Sequence, residues 1–143
     1  MSGAPRWIST LLRARSIKED QAKEQLGRAR RNQQVAAAHA ATERRRAATL
    51  HAEGTLTTPN FLALVAARSA ATATALQAQR TAEQAALVAD DALRSVVEAA
   101  KARRGAEILV EREEDRAARA EQRQTDKQLD EIAGNRHRSE DER

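Results

Sequence analysis

The side chains best suited to metal chemistry are three histidines, His39, His51 and His137. No two of them are four residues apart with a glutamate between them, so the zinc-protease motif is absent. The chain contains no cysteine, which excludes a thiolate zinc site and a disulfide framework. His39 and His51 are most simply interpreted as helix-surface residues, and we expect no metal site.

The phosphate-binding chemistry of nucleotide hydrolysis is also missing from the sequence. The five glycines are isolated from one another, and none lies in a G-x-x-x-x-G-K-[ST] run. Carboxylates are plentiful at helical spacing, but two solvated carboxylates on a helix surface cannot be desolvated into an acid–base pair. We therefore predict that the chain is not an enzyme and that it takes no cofactor and no small-molecule substrate.

Two arginine clusters, at residues 28–31 and 44–46, have the charge needed to bind nucleic acid, because phosphate neutralisation requires only Lys and Arg. However, three adjacent residues on a helix point in three directions, and no aromatic residue is interleaved to stack on bases. We favour a solvated helix surface, with nucleic-acid binding as an alternative.

The elements that position these side chains are predicted to be helices. The chain has 143 residues, of which 41% are hydrophobic, 1% are aromatic and 33 are alanine. The strongest helix formers dominate, while two prolines and five glycines are too few for a typical disordered chain. Large apolar side chains, which supply most of the energy of a globular core, are scarce. This composition predicts an all-α protein whose helices pack closely on alanine.

A break in composition around Gly54 predicts a turn between two helices. Gly54 can close the first helix, and Thr58 and Pro59 can serve as the N-cap and the first residue of the second. We expect a weak point of the second helix at Gly105 and a fraying end at Gly134. The predicted bounds are about 5–52 for helix one, 53–58 for the turn and about 59–138 for helix two, in a single coiled-coil domain over residues 1–143.

Each helix carries a seam of residues spaced alternately by three and four, as a coiled coil requires. If Leu50 faces Phe61 across the turn, the numbers of facing residues sum to 111. Glu43 then lies opposite Arg68, which pairs opposite charges. We therefore predict a long two-helix antiparallel coiled-coil hairpin in this register.

This pairing would end near Ile8 and Arg103, so the rest of the second helix would overhang. Residues 111–128 contain no apolar side chain larger than alanine, and their charges are of mixed sign. A helix that is polar on all sides is solvated or awaits a partner. We predict a charged C-terminal helical overhang in which large apolar residues return only at Leu129 and Ile132.

Basic residues are concentrated at the start of the chain. The net charge is +4, and residues 1–35 alone carry +5. A basic first helix attracts acidic protein surfaces, anionic lipid or nucleic acid in a salt-dependent manner. The apolar run after Trp7 is too short for a signal peptide, and we predict no membrane span, because a span needs about 20 apolar residues. We expect a cytoplasmic protein.

An apolar patch opens the first helix, where Trp7, Ile8, Leu11 and Leu12 are joined by contacts between residues four apart. Its structural interpretation is a closing layer of the hairpin against residues near Ala99. Its functional interpretation is a partner-binding surface that the hairpin alone does not cover.

A second apolar group follows the turn, at Phe61, Leu62 and Val65. The seam uses Phe61 but leaves Leu62 and Val65 without a partner. Because a two-helix hairpin has no third layer, we expect these two side chains to be exposed, self-associating or partner-binding.

In order, spacing and total length, several segments together resemble the FliJ family of flagellar type III export proteins. The segments are Trp7-Ile8-Ser9-Thr10-Leu11-Leu12-Arg13-Ala14-Arg15 with Glu19-Asp20-Gln21-Ala22, the turn Gly54-Thr55-Leu56-Thr57, and Asp126-Lys127-Gln128-Leu129-Asp130-Glu131-Ile132-Ala133 with Arg136-His137-Arg138.

The resemblance implies a soluble coiled coil at the cytoplasmic face of the inner membrane, at the flagellar base. Members of the family act as a stalk in the hexameric export ATPase, promote its assembly, contact the export-gate membrane protein near the turn and handle export chaperones. They look like the central shaft of rotary ATPases, whose terminal helices enter the ring. This chain is richer in alanine and poorer in aromatic residues than many members, so regions carry over more firmly than residues.

The resemblance assigns both ends of the chain to the ATPase and the turn to the export gate. The ATPase-binding residues would be Trp7, Ile8, Leu11, Leu12, Arg13, Arg15, Arg119, Arg123, Leu129 and Ile132. The gate-binding residues would be Phe61, Leu62 and Val65. The alternatives are a basic coiled coil that binds nucleic acid or anionic membrane, and an inert structural spacer.

Overall fold

The structure, a computed structural model, describes residues 6–51 and 54–141, with side chains through residue 136. Two helices account for nearly all of this part of the chain: α1, Arg6–Thr49, and α2, Thr58–Asp141. No strand occurs among the described residues. The predicted fold class, an all-α pair of helices packed against each other, is confirmed.

The helix bounds differ from the predicted ones mainly at the ends. α1 ends at Thr49, while the predicted limits at residues 5 and 52 lie outside the described residues. α2 continues through both Gly105 and Gly134 without interruption. A glycine in a helix interior costs only about 1 kcal/mol relative to alanine, which the surrounding helix formers offset.

The turn between the helices depends on one glycine and one threonine. Gly54 has a φ of 80°, a left-handed conformation that residues with a Cβ rarely adopt. The Phe61 amide donates to the Thr57 carbonyl at 2.9 Å, which is the first hydrogen bond of α2. Thr57 is therefore the N-cap, one residue earlier than predicted, and Pro59 lies in the first turn, where a missing amide proton is tolerated.

The chain divides into two compact units. The terminal unit consists of Met1–Lys18 and Ala99–Arg143, and the tip unit consists of Glu19–Glu98. In the tip unit, the end of α1 and the start of α2 run antiparallel on either side of the turn. Its buried apolar residues are mostly alanine: Ala22, Leu26, Ala29, Ala40, Ala78 and Ala89.

The predicted seam of α1 is confirmed in the tip unit, because every seam residue from Glu19 to Leu50 is buried or half-buried. Two of these residues are acidic. Glu19 accepts an ion pair from Lys23 at 2.6 Å, and Glu43 accepts one from Arg46 at 3.1 Å. Each buried carboxylate is thus paired with a cation of its own helix, which offsets the cost of desolvating it.

The register of the tip unit differs from the predicted one by one heptad. Arg44 Nη2 donates a hydrogen bond of 2.6 Å to Gln79 Oε1. In the predicted register, Arg44 would instead lie opposite Thr72, which flanks the seam seven residues before Gln79. The numbers of facing seam residues, such as Ala40 and Ala78, therefore sum to 118 and not to 111. A seam made largely of alanine offers nearly equivalent heptads, so the sequence pattern could not separate the two registers.

Two side chains near the turn lie outside the seam as a result. In the observed register, Leu50 at the end of α1 reaches only as far as Arg68, so Phe61 lies beyond the end of α1 and is more than half exposed. Arg68 is itself exposed, and Glu43 is bound by Arg46. The predicted pairing of Glu43 with Arg68 is therefore wrong.

In the terminal unit, α2 remains covered further along than predicted. Ile8 is 0% exposed and Ala106 is 3% exposed. Half-buried residues recur at Val110, Glu113 and Ala117 with heptad spacing, past the predicted end at Arg103. A pairing one heptad further along α2 places Ala106 opposite Leu12 and Val110 opposite Ile8, which explains their burial. The fully exposed part of α2 begins after Ala117 and comprises residues 118–136, which we call the overhang.

Candidate protein-binding surfaces

The apolar residues that open α1 divide into exposed and covered members. Trp7 is 61% exposed and Leu11 and Leu12 are half-buried, whereas Ile8 is completely buried. Because Ile8 is a seam residue, the helix pair itself covers it. The expectation that the hairpin leaves this whole patch uncovered is therefore wrong for Ile8, and Trp7 is the most accessible of the four.

The two arginines that follow this patch also differ in accessibility. Arg13 is exposed, while Arg15 occupies a seam position and is half-buried. Nearby, Ser9 Oγ and Thr10 Oγ1 donate to the Arg6 carbonyl at 2.8 and 2.9 Å. Their hydroxyl protons are thus directed to their own helix, whereas the exposed Trp7 and Arg13 are available to a partner at this end.

The overhang carries the C-terminal residues that the sequence predicted to bind the ATPase. Arg119 and Arg123 lie in its first two turns, where Arg123 Nε donates to the Arg119 carbonyl at 3.2 Å. Leu129 and Ile132 are 58% and 55% exposed and lie three residues apart, on one face. At about 1.5 Å per residue, Leu129 is about 18 Å beyond Ala117. The overhang thus presents two apolar side chains on an otherwise polar helix.

Ion pairs within α2 lie between residues 103 and 116, before the overhang, and neutralise many of the charges of that segment. Arg103 pairs with Glu107, and Arg104 bridges Glu107 at 3.1 Å and Glu111 at 3.6 Å. Arg116 pairs with Glu113 at 2.6 Å. Pairs three or four residues apart contribute about 0.2–0.5 kcal/mol each to a helix, which adds to the packing that covers this part of α2.

Phe61, Leu62 and Val65, which we call the tip patch, lie in the first two turns of α2. Leu62 is 61% exposed and Val65 is 48% exposed, so the prediction that the seam leaves them uncovered is confirmed. Phe61 joins them on the surface because α1 ends before reaching it. The hydrogen bond from the Phe61 amide to the Thr57 carbonyl is the first of α2, so the tip patch lies at the very start of this helix.

Exposed apolar residues continue along α2 beyond the tip patch, which the sequence analysis missed. Leu76 and Leu87 are 55% and 64% exposed. A window of 18 residues within Thr58–Arg136 reaches a mean hydropathy of 1.3 and is only 6% buried. This is weak evidence for a membrane span, because core helices of soluble proteins share this length and composition, and the absence of a span stays a prediction. A sliding hydropathy window could have found the segment, because it tolerates the single charge that interrupts the apolar run.

The two helices define a class, that of antiparallel coiled-coil proteins with exposed apolar groups at the turn and at the terminal end. Within the described part of the chain, no group of three or more His, Cys, Asp or Glu side chains is placed to hold a metal ion. The chain belongs to the flagellar FliJ protein family, whose family model matches residues 7–142. No curated protein and no solved structure matches the chain. The protein is therefore a component of the flagellar export apparatus, at the cytoplasmic base of the flagellum.

Proposed function

We propose that the protein acts as the stalk and activator of the hexameric export ATPase, links the ring to the export-gate membrane protein and handles export chaperones, without catalysing a reaction itself. It would be held peripherally at the cytoplasmic face of the inner membrane. The observation that carries this proposal is the overhang: the helix continues from residue 118 to residue 136 with every side chain exposed, and Leu129 and Ile132 share one apolar face.

The terminal unit supports a role inside a ring. Trp7 and Arg13 near the start of α1, and Arg119 and Arg123 in the overhang, belong to the same unit and are exposed. Apolar contacts by Trp7 and Leu129 would anchor the unit, while the arginines would bind acidic residues lining the ring. Exposed ion pairs contribute about 0 to 1 kcal/mol each, so such contacts would hold the helices without fixing them rigidly.

The remaining residues assigned to the ATPase would contribute less directly. Leu11, Leu12 and Arg15 are half-buried, so only part of each side chain is available to a partner. Ile8 is buried within the helix pair and would act by holding Trp7 and Leu11 in place. The tip patch would bind the export gate, because its three residues are exposed and no third helix covers them in the tip unit.

Adding the purified protein to the purified export ATPase tests this function. The full chain should increase ATP turnover and co-sediment with the ring, whereas a variant lacking residues 126–143 should bind weakly and fail to stimulate. Circular dichroism of the variant should retain the helicity expected for the remaining residues. Equal stimulation by both forms would exclude insertion of the terminal unit.

Two further outcomes of the same experiment identify the alternatives. Equal binding of both forms to duplex DNA, with no effect on the ATPase, would favour a basic nucleic-acid-binding coiled coil. A protein that neither binds nor stimulates any of these partners would be a structural spacer.

A further inference from the structure

Arg44 of α1 and Leu76 of α2 line the same side of the tip unit. We call this surface, together with the adjacent Arg45 and with Leu62 further towards the turn, the tip flank. Leu62 and Leu76 are two heptads apart on α2, so they lie on the same face of the helix pair. The Arg44 guanidinium reaches across to Gln79, and Arg45 Nε donates to the Ala41 carbonyl at 3.3 Å.

A shallow cavity of about 310 Å³ joins the two kinds of side chain. It is lined by Arg44, Ala47, Thr72, Ala75, Leu76 and Gln79. The Arg44 guanidinium and the Leu76 side chain therefore border the same depression, one from each helix. Because the other lining residues are small or neutral, no bulky group separates the cation from the apolar surface.

The tip flank is also poor in acids. Between residues 39 and 82, the sequence has five arginines and two glutamates, a net charge of +3. One of the two acids, Glu53, lies outside the described residues. In the described part of this stretch, residues 39–51 and 54–82, Glu43 is the only carboxylate, and it is buried and bound to Arg46. Just past this stretch, the exposed Glu83 accepts a hydrogen bond of 2.9 Å from Gln79 Nε2, so an anion approaching Arg44 meets one exposed carboxylate, at the end of the tip flank.

The helix that carries Leu62 and Leu76 is unusually apolar for one so little covered. From Phe61 to Ala78, Arg68 is its only charged residue, and most of the other side chains are Ala, Leu, Ser or Thr. This part of α2 lies in the helix whose apolar window is only 6% buried. Small side chains let such a helix lie flat against a surface, with its few large apolar groups inserted.

An anionic lipid surface matches both halves of this surface. Phosphate groups attract the arginines, and the boundary between headgroups and acyl chains accepts leucine side chains. Nucleic acid would pair with the arginines but leave Leu62 and Leu76 in water. Spanning the bilayer would bring Arg44, Arg45 and Arg68 into hydrocarbon, which is strongly unfavourable.

We propose that the tip flank binds anionic lipid, with α2 lying in the plane of the membrane surface, Leu62 and Leu76 inserted and Arg44 and Arg45 at the level of the phosphates. This inference concerns a lipid partner and does not depend on the proposed binding to the ATPase. It shares Leu62 with the tip patch proposed to bind the export gate, so variants of Arg44, Arg45 and Leu76, which lie outside the tip patch, test the lipid partner separately.

Flotation of the full chain with vesicles tests this binding. The protein should float with phosphatidylcholine vesicles that contain about one third phosphatidylglycerol, and it should not float with pure phosphatidylcholine. Raising the salt concentration to about 0.5 M should release most of it, since screening weakens the arginine contacts. Failure to float with the anionic vesicles at low salt would overturn the proposal.

Matched variants locate the surface. The double variant Arg44→Glu with Arg45→Glu should reduce binding about tenfold or more, and Leu76→Ser should reduce it about fivefold. The double variant Arg30→Glu with Arg31→Glu makes the same change in net charge elsewhere on α1 and should stay within about twofold of the natural chain.

The control for Leu76 is Leu87, which is similarly exposed on the same helix but has the acidic Asp90 and Asp91 one turn further along. Leu87→Ser should leave vesicle binding unchanged. Equal losses in the tip-flank variants and in their controls would show that net charge or general hydrophobicity is responsible, and would overturn the proposal. Circular dichroism melts establish that each variant is folded.

A fluorescence readout tests the geometry directly. With the only native tryptophan replaced, Trp7→Phe, a tryptophan placed by Leu76→Trp should shift its emission to the blue when anionic vesicles are added. Unshifted emission from vesicle-bound protein would overturn the insertion of this face. Loss of binding to the soluble part of the export gate in Arg44→Glu with Arg45→Glu, while vesicle binding persists, would assign the surface to a protein instead.

Discussion

The hydrogen bond of 2.6 Å from Arg44 Nη2 to Gln79 Oε1 links residues that each directly follow a seam residue, Glu43 on α1 and Ala78 on α2. Because Arg44 and Gln79 both flank the seam, the hydrogen bond between them defines which heptads of the two helices face each other. The same register explains why Phe61 is exposed past the end of α1. The position of the tip patch therefore follows from the pairing along the helices.

Disulfide crosslinking should distinguish the two registers. The chain has no native cysteine, so a pair introduced by Ala40→Cys and Ala78→Cys is unambiguous. We expect this pair to form a disulfide rapidly, because facing seam residues bring their Cα atoms within the roughly 7 Å limit for a disulfide. The pair Ala40→Cys with Ala71→Cys serves as the control for the register one heptad earlier. Preferential crosslinking of the control pair, read on a non-reducing gel, would contradict the observed register.

Enlarging a seam alanine should destabilise the tip unit. Ala78 is 5% exposed, so Ala78→Leu should lower the free energy of unfolding by about 1–3 kcal/mol through overpacking. The control Ala66→Leu, on the exposed side of α2, should stay within about 0.5 kcal/mol of the natural chain. Urea unfolding followed by circular dichroism measures both values. A neutral Ala78→Leu would indicate helices that are not closely packed at this position.

Changing the tip patch should affect binding and not stability. Leu62→Ser with Val65→Ser should weaken binding to the export gate, because the two exposed side chains would no longer bury apolar surface in the complex. The melting temperature should be nearly unchanged, since neither residue lies in the seam. Leu64→Ser, at a half-buried position next to them, is the control that should lower it. A large loss of stability in the double variant would instead identify Leu62 and Val65 as core residues.

Charge reversal in the overhang should have an effect only when changes are combined. Arg119→Glu or Arg123→Glu alone should alter stimulation of the ATPase little, because an exposed ion pair contributes about 0 to 1 kcal/mol. The two changes together, added to Arg13→Glu, should reduce stimulation clearly and increase its sensitivity to salt. Steady-state ATP turnover at low and moderate salt provides the measurement. Full stimulation by the triple variant would rule out these arginines as contacts.

The candidate surfaces were predictable from sequence to different degrees. Exposure of Leu62 and Val65 followed from the seam, because a residue outside the seam of a two-helix hairpin has nothing to cover it. The burial of Ile8 was harder to predict, since Trp7, Ile8, Leu11 and Leu12 look equivalent as a run of apolar residues. Only the position of each side chain relative to the partner helix separates Ile8 from Trp7. The exposure of Leu76 was not predicted, because a search for consecutive apolar residues does not detect an apolar helix that is interrupted by one arginine.

The sequence by itself determined the two helices, the turn at Gly54 and the heptad seams. These features depend on local propensity and on spacing within one helix, and both can be evaluated one residue type at a time. The tertiary structure alone decided which heptads face each other, and with them the exposure of Phe61, the partner of Glu43 and the start of the overhang after Ala117. Alanine at most seam positions makes adjacent registers nearly equal in packing energy, so contacts outside the seam, such as that between Arg44 and Gln79, distinguish them.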